Sequence, residues 1–134
     1  SYVHNSVSDG LGKIGVLVKL SSNANDINDI GKNICMHIAA LSPKSISVDD
    51  LDEDIIKNEK EIIRQQLKDS GKPENIMDKM LEGKIKKFID ECTLLGQKFV
   101  IDQSISVKDY LDSFSSDDNG QIIVKEFIRF EVGS

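Results

Sequence analysis

Tryptophan is missing from this 134-residue chain, aromatic residues make up 5% of it, and Pro and Cys occur twice each. Positive charge is also in deficit: 17 Lys and Arg against 23 Asp and Glu leave a net charge of -6. Nucleic-acid backbones and anionic membranes reward clustered Lys and Arg, so neither is expected as the main partner, while a protein with a basic face is compatible. No apolar run approaches the length that crosses a bilayer, and no charged, then apolar, then small-residue signal opens the chain. The first residue is Ser rather than Met, which gives the expectation of a soluble piece of a longer polypeptide. Cys35 and Cys92 stand alone among apolar neighbours in predicted helices, without a Cys-x-x-Cys pair, and are expected to be reduced, buried thiols.

What is present suits one domain: 39% hydrophobic and 30% charged residues favour a compact fold carrying a long solvated element. From Gly12 to Ser21, Ile14, Val16, Val18 and Leu20 fall on one face and Lys13, Gly15, Leu17 and Lys19 on the other, the period of a half-buried strand. A comparable stretch runs from Gln121 to Val132, with Ile122, Val124, Ile128, Phe130 and Val132 expected on one face and Ile123, Phe127 and Arg129 on the other. Tyr2-Val-His4 opens a short strand expected to form a hairpin into Lys13.

Between these strands the apolar spacing becomes helical. Ile27, Ile30, Ile34, Ile38 and Leu41 form a stripe that should cover the sheet, closed by Pro43 and followed by an acidic connector, Ser45 to Asp50. Asp54 to Ser70 and Pro73 to about residue 93 carry two narrower stripes, Ile55, Ile56, Ile62, Ile63 and Leu67, then Ile76, Met77, Met80, Leu81, Ile85, Phe88 and Ile89. The Gly71-Lys-Pro73 turn between them predicts an antiparallel helical hairpin. At about 1.5 Å per residue its arms reach roughly 24 Å, more than a small sheet needs for cover. The projecting part is either a solvated coiled coil or an arm that touches a partner. Leu95 to Val100 is read as extended, and Val107, Leu111 and Phe114 as a short helix. The fold class is therefore α+β: a small antiparallel sheet of about three strands packed with helices, with an inserted coiled-coil hairpin over about 54–93.

Two motifs resemble sites and fail on context. Gly10-Leu-Gly-Lys-Ile-Gly15 spells G-x-G-x-x-G, but a strand follows it where a dinucleotide fingerprint needs a helix N-terminus. Residues 115–126 resemble a calcium loop, with oxygen ligands at the first, third and fifth positions, Gly120 at the sixth and Glu126 at the twelfth. Ser115 replaces the usual first Asp, and the residues after Gly120 alternate like a strand; a calcium-binding, EF-hand-like module is the alternative reading. Asp50, Asp52, Asp54 and Glu61 imitate a partner loop, with Ile55 where Gly is needed. Cys35 and His37, two apart on a helix, point to different faces and make a poor metal pair; His37 reads as a satisfied helix histidine. No spacing of Ser, Cys, His and carboxylates specifies catalysis, and no Gly-Lys-Ser/Thr phosphate cradle is present. No catalytic, cofactor-binding or metal-binding residue is assigned.

Taken in order, Tyr2-Val-His4, Gly15-Val-Leu-Val18, Ile34-Cys-Met-His-Ile-Ala-Ala40, Gly71-Lys-Pro-Glu-Asn-Ile76, Lys79-Met-Leu-Glu-Gly83, Gly96-Gln-Lys-Phe-Val100 and Phe127-Ile-Arg-Phe-Glu-Val-Gly133 resemble translation elongation factor Ts over nearly the whole chain. The resemblance covers the C-terminal part of that family's core with its helical hairpin. It implies a cytoplasmic nucleotide exchange factor, of bacterial or organellar type, for elongation factor Tu, in the GDP-bound or nucleotide-free form of that GTPase, and it implies no cofactor. Factor and nucleotide would each weaken the other's binding, with no bond made or broken by the factor.

By the same resemblance His4 matches a histidine implied to contact the partner's nucleotide-binding domain. Val100 matches a valine implied to lie against the partner's third domain, with contact and core both open for it and Phe99 as the inward neighbour in the same contact segment. The family's Thr-Asp-Phe-Val element and its small N-terminal helical domain are absent, so weak partner binding and little acceleration of GDP release are expected. A homo-oligomer is left open.

Overall fold

A computed structural model describes the backbone of residues 2–9, 13–21, 27–114 and 121–132, and the side chains of 14–21, 27–114 and 121–131. The strands are β1 (Tyr2–Asp9), β2 (Lys13–Ser21) and β3 (Ile123–Val132); the helices are α1 (Ile27–Leu41), α2 (Glu53–Lys68), α3 (Glu74–Cys92) and α4 (Val107–Asp112), with a 3-10 turn at Val48–Asp50. The expected α+β class holds. β2 is the middle strand, antiparallel to β1 on one side and β3 on the other.

The alternation of β2 does what its pattern requires. Val16, Val18 and Leu20 are buried against Ile30, Ile34, Cys35 and Ile38 of α1, and Leu94, Phe99, Val107, Leu111, Ile122 and Val124 complete the same core. Helix α1 stops at Leu41 because Ser42 takes a left-handed φ of 50° and Pro43 cannot continue the ladder.

β3 departs from the single-face reading. Lys19 pairs with Glu126 but Leu20 pairs with Val124, which leaves Lys125 as an extra residue in a bulge. One extra residue shifts the alternation, so the strand changes face partway. Ile122 and Val124 are in the core, whereas Ile128 and Phe130, 49% and 50% exposed, turn to the far side. Phe127 packs on the core instead, and Arg129 Nη2 donates to the Ala39 carbonyl at 3.1 Å. The Phe130 ring occupies the space that a Cβ at Gly15 would need.

α2 and α3 pack through their own cluster, Ile63, Leu67 and Ile85, with Ile56, Met77, Met80, Leu81 and Ile89 around it. Asp52 caps α2 by accepting from the Asp54 N–H at 3.0 Å, and the turn between the helices uses Gly71 at φ 69°. Where this helix pair joins the rest, Lys44 N–H donates to Cys92 O (2.7 Å), Leu94 N–H to Ser45 O (2.8 Å) and Leu95 N–H to Ile46 O (3.0 Å). The chain therefore enters and leaves the pair side by side, through a parallel bridge between Ser45 and Thr93.

One smaller expectation also changes, and two others gain detail. Leu95 to Val100 is not extended throughout: Leu94–Gly96 form a turn, and an antiparallel bridge joins Lys98 to Ser106. The acidic connector is partly ordered, because the Asp50 carboxylate accepts from the Ile46 and Ser47 N–H groups. In the calcium-loop reading, residues 115–120 lie outside the described residues. Glu126, however, sits in β3 opposite Lys19, where a calcium loop would open its second helix.

Candidate functional site

The residues expected to meet a partner fall in two places. His4 lies on β1, with its backbone opposite Val18; its side chain lies outside the described residues. Phe99 and Val100 lie on a tight turn between α3 and α4, and the structure separates them. Phe99 is 2% exposed and belongs to the core, while Val100 is half-buried and Ile101 beside it is 53% exposed. Phe99 lies inward, as expected of the neighbour of Val100, because burying the large ring against the core outweighs leaving it in water. Its ring stacks on Tyr110 with centroids 4.2 Å apart, and Asn33 Nδ2 donates to the Tyr110 hydroxyl at 3.0 Å.

Hydrogen bonds close the turn from both ends. Phe99 N–H donates to Ile105 O (2.9 Å), Asp102 N–H to Phe99 O (3.1 Å), and Val107 N–H to Gln97 O (3.0 Å). At the tip the Asp102 carboxylate accepts from the Ser104 hydroxyl (2.6 Å) and N–H (3.1 Å), which holds its carboxyl below the usual range.

Behind the turn stands His37, fully buried on α1. Val100 N–H donates to its Nδ1 at 3.1 Å, which leaves the proton on Nε2, 2.9 Å from Gln97 Oε1. Gln97 Nε2 in turn donates to the Glu91 carbonyl at 2.8 Å. The ring faces Phe99, with centroids 6.0 Å apart. The reading of His37 as a satisfied histidine holds, and its partners are the residues just before and within the Phe99–Val100 segment. A separation of 60 residues from Gln97 and 63 from Val100 gives sequence spacing nothing to detect.

Beside the turn runs an open groove of about 700 Å³, bordered by Leu41, Lys87, Asp90, Glu91, Lys98 and Lys108 among others. Its charges are of both signs and face water, so it presents no convergent donor set for a small molecule. Among the described residues no three His, Cys, Asp or Glu side chains converge for a metal ion, and no helix is long and apolar enough to cross a membrane.

The family model described as Elongation factor TS matches residues 1–134. The chain belongs to the elongation factor Ts family. It is 52% identical over 107 residues to the elongation factor Ts of Paracoccus denitrificans, covering 80% of this chain and 36% of that protein. It is 44% identical over 134 residues to that of Erythrobacter litoralis, covering 98% of this chain and 44% of that protein. With that of Fervidobacterium nodosum it shares 40% over 139 residues, 99% of this chain and 68% of that protein. The chain thus spans less than half the length of the first two elongation factor Ts proteins.

Proposed function

We propose that the chain is the partner-binding, C-terminal part of a nucleotide exchange factor for elongation factor Tu. It would act by protein binding, without catalysing a reaction of its own, in a cytoplasm of bacterial or organellar type. In this reading residues 1–134 form one core domain, and about 54–93 form a helical hairpin of coiled-coil character inserted into it. The paired hydrogen bonds at Lys44–Ile46 and Cys92–Leu95 support the insertion, and the shared Ile63, Leu67 and Ile85 cluster supports the coiled coil.

The observation that carries the reading is the Val100–Ile101 tip: two β-branched apolar side chains at a surface turn whose backbone is tied to α1. Partner contacts draw on such rigidly held apolar groups, because little conformational entropy is lost on docking. Val100 would meet the GTPase, Phe99 would support it from inside the core, and His4 would make a second contact from β1. Binding of this kind displaces nucleotide only as far as factor and GDP oppose each other energetically.

The test is the rate of GDP release from elongation factor Tu with this chain and with a full-length factor. Weak binding and a small acceleration by the chain are expected. Equal acceleration by both would show that the chain suffices for exchange and would overturn the reading of it as the partner-binding part alone.

A further inference from the structure

We infer that His37 and Gln97 are positioning residues for partner binding: buried, they fix the Val100–Ile101 tip through the Val100 amide. This rests on the functional reading above. The geometry is a relay in which each bond sets the direction of the next. Val100 N–H needs an acceptor at Nδ1, which puts the proton on Nε2; Gln97 Oε1 accepts a hydrogen bond from that N–H, and its amide nitrogen donates to the Glu91 carbonyl at the end of α3. Only neutral His37 completes this arrangement. A second proton on Nδ1 turns the acceptor into a donor aimed at the Val100 N–H.

Among the described residues no charged side chain faces the ring to offset that proton. Asp90 and Glu91 on α3, Lys98 and Asp102 on the turn, and Lys108 and Asp109 on α4 are exposed. Arg129 on β3 is bonded to the Ala39 carbonyl and Glu131, the Tyr110 hydroxyl accepts from Asn33, and the Cys35 thiol approaches the Val16 carbonyl. Burial lowers the His37 pKa below 6.5, and the Gln97 hydrogen bond offsets part of that. A folded-state value below the unfolded one means that this group's contribution to stability is full above pH 6.5 and falls as pH drops toward the folded-state value. Tip order, and with it partner affinity, should fall lower, as pH passes down through the folded-state value and the folded ring itself takes up the second proton.

The experiment measures affinity of the chain for nucleotide-free elongation factor Tu from pH 7.5 down to the lowest pH at which circular dichroism shows helix content intact, and hydrogen exchange of the Val100 amide in the chain alone. His37→Leu keeps the bulk and removes the acceptor; it should weaken binding about fivefold or more at pH 7.5 and expose the Val100 amide. His37→Asn keeps an acceptor at the δ position and cannot take up a proton; it should bind within about twofold of wild type at pH 7.5 and lose the wild-type fall of about threefold or more across that pH range. Gln97→Glu places a carboxylate on Nε2–H and should move the midpoint of the acid loss upward. Unchanged Val100 exchange in His37→Leu, or a pH profile shared by wild type and His37→Asn, overturns the inference. If wild type fails to bind at all, the functional reading falls, and the Val100 amide still decides whether His37 holds the tip.

Discussion

Cys35 and His37 sit two residues apart on α1, both are fully buried, and burial acts oppositely on their protons. It disfavours whichever form carries charge, so it keeps the imidazole neutral and pushes the Cys35 thiol up to about 11. Cys92 is raised as well, by burial first, with Lys44 pulling the other way. The thiolate is the reactive species. In the folded chain at pH 8 a disulfide reagent should therefore leave Cys35 essentially unmodified, and both thiols should react promptly in denaturant. Fast native modification of Cys35 would contradict its place in the core.

Two glycines of the helix pair show how an element decides the sign of the same substitution. Gly71 closes the turn with φ 69°, a region that costs a side chain about 1 kcal/mol or more, so Gly71→Ala should destabilise. Gly83 is exposed within α3 with nothing near its missing Cβ, and Gly83→Ala should stabilise by about 0.5–1 kcal/mol. Urea midpoints of the two variants should move in opposite directions; equal shifts would refute this account of the turn. Sequence pattern located both helices and the turn, because stripe spacing and Gly71-Lys-Pro73 are local signals. It missed the reversal of β3, since a bulge depends on which residue of β2 each residue of β3 meets, and Lys125 looks like any other alternating residue until that register is formed.

Across the molecule two apolar clusters are built separately. One joins the sheet to α1, the turn and α4; the other lies between α2 and α3. Hydrogen bonds between Lys44–Ile46 and Cys92–Leu95 tie the helix pair to the rest. Ile63→Ala should remove about 2 kcal/mol or more from the second cluster, depending on how far the gap collapses. Amides of α2 and α3 should then exchange faster, while those of Ile34 and Ile38 keep most of their protection. Uniform loss of protection would mean that the two clusters open as one.

The sequence by itself determined the α+β class, the helices, the core face of β2 and membership of the elongation factor Ts family, because each rests on local periodicity or on an ordered set of motifs. Tertiary structure decided the rest. It left Val100 half-buried with Ile101 outside, and it gave His37 its task by bringing Gln97 and the Val100 amide to its two ring nitrogens. The physical reason is that a hydrogen-bond relay depends on distance and direction in space, and residues 60 apart in the chain carry no periodic trace of meeting.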